Sequence, residues 1–115
     1  MDTIRIYYNP RCSKCRATLA LIEEHGYSAE VVEYLQTPPD KEALGDLLRK
    51  LGMQPADIVR KGENIYKELY AHRTLSTEEC LDALAAHPIL IERPIVVRGD
   101  KAFVARPPEQ VLALL

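Results

Sequence analysis

The order of local patterns in the first third of the sequence limits the fold more than any other feature. The run from Thr3 to Tyr8 is β-branched and aromatic with alternating apolar residues, and it predicts a strand that the turn-forming pair Asn9-Pro10 interrupts. A helical spacing of apolar residues follows from Ser13 to a stop at Gly26, and "AEVVEYL", residues 29–35, predicts a second strand. Strand, tight turn, helix and strand within about 30 residues form a βαβ unit, so we expect two parallel strands.

The remaining sequence is helical in the middle and returns to strands near its end. "PIVVRGDKAFVA" predicts two strands, Ile95 to Arg98 and Ala102 to Ala105, joined as a hairpin, and "RPPEQVLALL" predicts a closing helix that begins with proline. The order βαβ, helical insertion, ββα predicts an α/β fold with a thioredoxin-like mixed sheet. A chain of 115 residues without repeats or a linker is expected to form a single domain, residues 1–115, with the insertion at about 40–87.

Composition excludes several classes of protein. Hydrophobic residues make up 47% and charged residues 28%, a balance typical of globular chains, and the net charge of -2 does not favour direct binding of nucleic acid. No apolar run approaches the roughly 20 residues that a membrane helix needs, and the N-terminus lacks the layout of a secretion signal. Three cysteines, an odd number, fit poorly with a disulfide scaffold, so we expect a cytoplasmic protein. Without heptads or an apolar patch, we expect a monomer.

The C-x-x-C motif of Cys12 and Cys15 carries the main functional signal. Cys12 lies between the first strand and the first helix, at the sheet edge where α/β proteins bind ligands. The amino end of a helix favours negative charge, and Arg11, Lys14 and Arg16 add positive charge, so we expect the pKa of Cys12 to be lowered. The same N–H groups favour an anion, which predicts a sulfur nucleophile beside an anion site.

Other uses of the cysteines stay open at this point. Cys12 could be a small buried apolar side chain, and Cys15 could pack under the helix or form a disulfide with Cys12. Zinc needs about four ligands, and no second C-x-x-C or H-x-x-x-H occurs, so we predict no metal site. Cys80 lies on the apolar side of its helix and is expected in the core. Three histidines are expected to be structural or solvated: His25, His72 and His87.

Four segments together resemble the glutathione/glutaredoxin-linked arsenate reductases, which have a thioredoxin-type fold. The segments are "IYYNPRCSKCRATLALIEE", "VVEYLQTPPD", "HPILIERPIVV" and "ARPPEQVLALL", and the likeness covers essentially the whole chain. The resemblance implies that Cys12 attacks arsenate, that Arg60, Arg93 and Arg106 hold the oxyanion, and that the Arg93-Pro94 bond is cis. Arg93 precedes a predicted strand and Arg106 follows one, so both are expected at sheet ends, and guanidinium groups suit multi-oxygen anions.

The resemblance also implies an activity and its partners. We expect an oxidoreductase that reduces arsenate to arsenite, with no bound cofactor, glutathione as co-substrate and glutaredoxin as the protein that restores the thiol. Two positions depart from the family pattern. Tyr8 stands where well-characterised members carry a histidine, and Cys15 stands where many carry a residue without a thiol. Cys15 is a second catalytic candidate, because it could compete with glutathione for the adduct and form a Cys12–Cys15 disulfide. One alternative is an Spx-like redox switch, in which Cys12 and Cys15 form the redox pair and the protein binds a transcription partner. The other is a general thiol–disulfide or glutathione-dependent oxidoreductase that also uses Cys12.

Overall fold

The structure is a computed structural model and describes residues 3–115. Backbone contacts divide the chain into two compact units: the residues up to Thr37 together with Arg93–Leu115, and Pro38–Glu92. The predicted insertion, about 40–87, lies within the second unit, while the single domain stays a prediction. The elements in chain order are β1 (Ile4–Tyr8), α1 (Ser13–Glu24), β2 (Ala29–Glu33), α2 (Lys41–Leu51), α3 (Asn64–Leu69), α4 (Thr77–Ala86), β3 (Ile95–Arg98) and β4 (Lys101–Val104), with 3₁₀ segments at Pro55–Ile58, Pro88–Leu90 and Pro108–Leu114.

The first unit contains a four-stranded mixed sheet in the order β2-β1-β3-β4. β1 and β2 are parallel, as the βαβ pattern predicts, whereas β3 is antiparallel to both β1 and β4. The predicted α/β class and the thioredoxin-like mixed sheet are therefore confirmed. The hairpin between β3 and β4 turns at Gly99, whose φ of 61° suits a residue without a Cβ.

Strand register brings four chain segments to one edge of this sheet. Tyr8 at the end of β1 pairs with Glu33 at the end of β2, Tyr7 pairs with Ile95 at the start of β3, and Ile95 pairs with Val104 at the end of β4. Residues that follow β1, β2 and β4 and residues that precede β3 consequently meet there. We call this the Cys12 edge, because Cys12 follows β1.

The core of the first unit explains why α1 and the chain end lie on the sheet. Ile4 and Ile6 are buried while Arg5 between them is exposed, which is the alternation expected of a strand with one covered face. Ile22 of α1 and Val111 of the last 3₁₀ segment join the same apolar cluster. Burying each such side chain contributes about 1.5–3 kcal/mol, so this cluster anchors α1 and with it the turn that carries Cys12.

The second unit is built from capped helices. Asp40 Oδ1 accepts the N–H of Ala43 at 2.8 Å, and α2 then buries its leucines and ends at Gly52, where φ is 68°. α4 begins at a capping box, in which Ser76 and Glu79 exchange backbone-to-side-chain hydrogen bonds of 3.1 and 3.0 Å. Among residues 3–115, no helix has both the length and the apolar character required to cross a membrane.

Several predicted boundaries are wrong by one or two residues. β2 ends at Glu33 rather than Leu35 because the carbonyl of Glu33 accepts the N–H groups of Gln36 and Thr37, both at 2.9 Å, and so starts a turn. β4 spans Lys101–Val104 rather than 102–105, and the chain ends in a 3₁₀ helix. Such differences come from local hydrogen bonds that apolar spacing does not encode.

Gly45 inside α2 and Gly52, which caps the end of α2, should respond in opposite directions to the same substitution. Gly45 lies inside the helix, and a Cβ added there would meet no atom within 4 Å, so Gly45→Ala should raise the free energy of unfolding by about 0.5–1 kcal/mol. Gly52 has a left-handed backbone, so Gly52→Ala should lower it by about 1 kcal/mol. Urea unfolding of the two variants tests this, and a shift of the same sign in both would contradict the assigned helix end.

Candidate active site

The N-P-R-C turn aims the Cys12 sulfur at the amino end of α1. The carbonyl of Asn9 accepts the N–H of Cys12 at 2.9 Å, and Asn9 Oδ1 accepts the N–H of Arg11 at 3.0 Å. Cys12 is the N-cap residue, and its Sγ accepts the N–H of Cys15 at 3.4 Å. A sulfur thus occupies the place where an oxygen of Ser, Thr, Asp or Asn usually caps a helix.

The local environment lowers the pKa of Cys12. Partial burial by itself raises this pKa, but the backbone N–H of Cys15, the Cys15 thiol and the Arg93 guanidinium together outweigh it. The cation acting on the sulfur is therefore Arg93, which is distant in sequence. Arg16, one of the neighbours expected to help, instead donates its Nη1 hydrogen to the carbonyl of Pro10 at 2.7 Å.

The pKa of Cys15 is shifted in the opposite direction. Its side chain is fully buried at 0% exposure, and burial raises its pKa to about 12 despite the N–H of Asn9 nearby. Both Cys12 and Cys15 are free thiols. At neutral pH Cys15 is consequently protonated, and its S–H group is a hydrogen-bond donor for the Cys12 thiolate. Cys80 is buried in the core, as expected.

Arg93 and Arg106 come together at the Cys12 edge. Arg93 lies before β3 and Arg106 after β4, and Arg106 Nη1 donates to the carbonyl of Arg93 at 3.4 Å. The Arg93-Pro94 bond is cis, as expected, and so is Arg106-Pro107. Arg93 is half-buried, and its Nε lacks a hydrogen-bond partner among the residues that the structure describes.

Arg60, the third arginine expected at the oxyanion, belongs to the second unit. Its Nη1 lies 3.3 Å from Glu63 Oε2 and its Nε lies 3.7 Å from Glu92 Oε1. Its backbone N–H donates to the carbonyl of Leu90 at 2.7 Å. Two carboxylates therefore compensate its charge within that unit, and its role toward an oxyanion stays a prediction.

Tyr34 is a member of this site that sequence reasoning missed. It follows β2 at the Cys12 edge, is only 1% exposed, and its hydroxyl has no hydrogen-bond partner within residues 3–115. Burial raises its pKa to about 12, and Arg93, Cys15 and Cys12 are the charged or ionisable groups that act on it. The available signal was topological: β1 and β2 are parallel, so the residues that follow them are neighbours.

Two further expectations concern Tyr8 and metal ions. Tyr8, at the position where the resemblance implied a histidine, is partly buried and packs against the apolar core of the first unit. Within residues 3–115, no three or more His, Cys, Asp or Glu side chains form a cluster that could hold a metal ion. The groups that the described residues bring to the Cys12 edge are the Cys12 and Cys15 thiols, the guanidinium groups of Arg93 and Arg106, and the buried phenol of Tyr34.

Known proteins resemble this chain over its whole length. The model of the ArsC family matches residues 7–114. The chain is 49% identical to an arsenate reductase of Neisseria meningitidis, with 100% of both chains covered. It is 51% identical to the uncharacterized protein YfgD of Escherichia coli K12, with 97% of this chain and 96% of that protein covered. A solved arsenate reductase from Vibrio cholerae superposes with a TM-score of 0.94 at 46% identity, covering 99% of this chain and 98% of that one. Because the family model spans nearly the whole sequence, the chain belongs to the ArsC family.

Proposed function

We propose that this protein is an oxidoreductase that reduces arsenate to arsenite with Cys12 as its nucleophile. One observation carries the proposal: a partly exposed sulfur caps α1, and Arg93 with the Cys15 N–H lowers its pKa. A thiolate next to a guanidinium group suits attack on a small anion with several oxygens. The relative named arsenate reductase matches the full length of this chain, which supports the same substrate.

The first step forms a bond between the sulfur of Cys12 and arsenic. One arsenate oxygen takes up protons and leaves as water, so the product is a thiol–arsenate adduct. The amino end of α1 and the guanidinium groups of Arg93 and Arg106 stabilise the negative charge of the remaining oxygens. Arg60 is the third oxyanion ligand in this proposal.

The second step transfers two electrons to arsenic. The thiol of glutathione attacks the Cys12 sulfur, an S–S bond forms, and the S–As bond breaks with its electron pair staying on arsenic. Arsenic changes from pentavalent to trivalent and leaves as arsenite. Glutaredoxin then releases Cys12 from the mixed disulfide by thiol–disulfide exchange. Two thiols supply both electrons, so glutathione is a co-substrate and the reaction requires no bound cofactor.

The state of Cys15 supports glutathione rather than Cys15 as the second thiol. A nucleophile must be a thiolate that can approach the adduct, whereas Cys15 is fully buried and its pKa is raised to about 12. Cys15 instead donates its S–H group to the Cys12 thiolate. A glutathione-dependent reaction fits the reducing cytoplasm. The cytoplasmic location and the monomeric state stay predictions.

Replacing Cys12 should abolish turnover. Cys12→Ala removes the attacking sulfur, so arsenate reduction should fall by more than about 10³-fold. The measurement is NADPH consumption in the presence of arsenate, glutathione, glutaredoxin and glutathione reductase. Cys80→Ala is the matched control, because Cys80 is a free thiol in the second unit, and it should keep activity near that of the wild type. Arsenate-dependent turnover by Cys12→Ala would sink the proposed mechanism.

Arg93 should set the pH at which Cys12 becomes reactive. Because the Cys12 pKa is lowered, alkylation by iodoacetamide should reach half its maximal rate below the ordinary thiol value of about 8.5 and slow down as the pH falls through that midpoint. Arg93→Gln removes the cation and should raise the midpoint. Arg5→Gln, which breaks a 3.3 Å ion pair with Glu30, should leave it unchanged. A wild-type midpoint at or above about 8.5 would contradict the assignment.

Two substitutions at Cys15 should separate hydrogen-bond donation from a second-thiol role. Cys15→Ser keeps a donor toward Cys12 and should turn over arsenate within about threefold of the wild type, with Cys12 recovered as its glutathione mixed disulfide by mass spectrometry. Cys15→Ala loses the donor and should raise the midpoint of Cys12 alkylation. If Cys15 were the second thiol, Cys15→Ser would instead lose turnover, and the wild type would yield a Cys12–Cys15 disulfide.

A further inference from the structure

Two buried polar atoms at the Cys12 edge lack the partners that such atoms normally have. Within residues 3–115, the buried side-chain atoms without a hydrogen bond are Tyr34 Oη, Arg93 Nε and Arg60 Nη1, and the first two belong to the first unit. Buried polar groups are almost always paired, since leaving one unpaired costs free energy. Two orphaned atoms beside one nucleophile therefore need a functional explanation.

The two side chains differ in how far they reach toward solvent. Tyr34 is 1% exposed, so a small anion that arrives from solvent meets no part of its ring or hydroxyl. Arg93 is half-buried: its Nε is enclosed, while its guanidinium group acts on the Cys12 sulfur. Arg93 is also close enough to the Tyr34 hydroxyl to lower its pKa both through its charge and as a side-chain donor, although the two groups form no hydrogen bond of ordinary length and angle. The guanidinium group thus acts on both a buried phenol and a reactive thiol.

We propose that Tyr34 is a positioning residue for Arg93: in the substrate complex its hydroxyl oxygen accepts the Nε–H of Arg93 and directs the two Nη groups toward the oxyanion at Cys12. The proposal rests on the proposed function, in which Arg93 holds the oxyanion. One hydrogen bond would satisfy both orphaned atoms. Because a guanidinium group is planar, fixing the direction of Nε–H also fixes both Nη groups.

The chemistry of Tyr34 suits this role. Burial raises its pKa to about 12, so the phenol is neutral at physiological pH, and its oxygen has a lone pair for an N–H donor. A neutral acceptor orients Arg93 without cancelling the positive charge that arsenate needs. A carboxylate at the same place would compete with the oxyanion for the same guanidinium group.

The first experiment compares Tyr34→Phe with Tyr27→Phe. Tyr27 is a control in the same unit, and its hydroxyl donates to the carbonyl of Leu115 at 3.3 Å. Tyr34→Phe removes a buried hydroxyl that has no partner within residues 3–115, so its melting temperature should equal or exceed that of the wild type. Its kcat/KM for arsenate should nevertheless fall by about 10–100-fold, mainly through KM, because Arg93 is misoriented. Tyr27→Phe should keep kcat/KM within about twofold of the wild type.

The second experiment asks whether the hydroxyl acts through Arg93. Arg93→Lys keeps a positive charge but has no Nε–H and no planar fork, so Tyr34→Phe should have no further effect on kcat/KM in that background. Additive effects of the two substitutions would overturn the proposal. So would an unchanged kcat/KM in Tyr34→Phe, or a Tyr34→Phe protein that fails to fold, since the hydroxyl would then be structural.

A readout without arsenate separates this proposal from the proposed function. The Arg93 guanidinium lowers the pKa of Cys12, so misorienting it in Tyr34→Phe should move the midpoint of Cys12 alkylation to higher pH, and Tyr27→Phe should not. An unchanged midpoint overturns the role of Tyr34 whether or not the wild type reduces arsenate. A shifted midpoint in a protein that never turns over arsenate supports Tyr34 as the positioning residue and sinks the proposed function alone.

Discussion

The hydrogen bond from the Cys15 N–H to the Cys12 sulfur is the interaction on which the rest of the site depends. It makes a thiol the N-cap of α1, so one contact both positions the sulfur and lowers its pKa, and the Cys15 thiol and Arg93 lower that pKa further. The turn that begins at Asn9 sets the direction of the bond, and Ile22 holds α1 against the core.

The mixed sheet explains how distant parts of the sequence reach this sulfur. Parallel pairing of β1 with β2 puts Tyr34 beside Cys12, and antiparallel pairing of β3 and β4 brings Arg93 and Arg106 to the same edge. Along the edge, the residues lie in the order of the strands that they follow or precede: Tyr34, Cys12, Arg93 and Arg106. Function at this edge is therefore a consequence of strand order, because a different order would separate the thiol from its cations.

The parts of the site that the sequence predicted are the local ones. Cys12 was identifiable because strand, turn and helix start are adjacent in the chain, and each leaves its own pattern. The action of Arg93 on Cys12 depends on the pairing of Tyr7 with Ile95, and no periodicity encodes a contact between such distant segments. The resemblance to a family pointed to Arg93 and Arg106, whereas the strand register shows where in the fold these two residues lie. Tyr34 stayed hidden because, within "VVEYL", an aromatic residue is typical of an ordinary buried strand position.

The two cysteines lie one helical turn apart, yet the pKa values of their thiols are shifted in opposite directions. Both lie at the start of α1, yet Cys12 reaches the Arg93 guanidinium and the helix N–H groups, whereas Cys15 is fully buried and keeps its proton. The Cys15 thiol is a donor toward Cys12 and lowers the pKa of Cys12, while Cys12 raises the pKa of Cys15. Tyr8 stands where the resemblance implied a histidine, and its phenol supplies no positive charge. A cation that precedes β3 and a second thiol from α1 lower the pKa of Cys12, so a C-x-x-C motif in this fold can combine one thiol of lowered pKa with one of raised pKa.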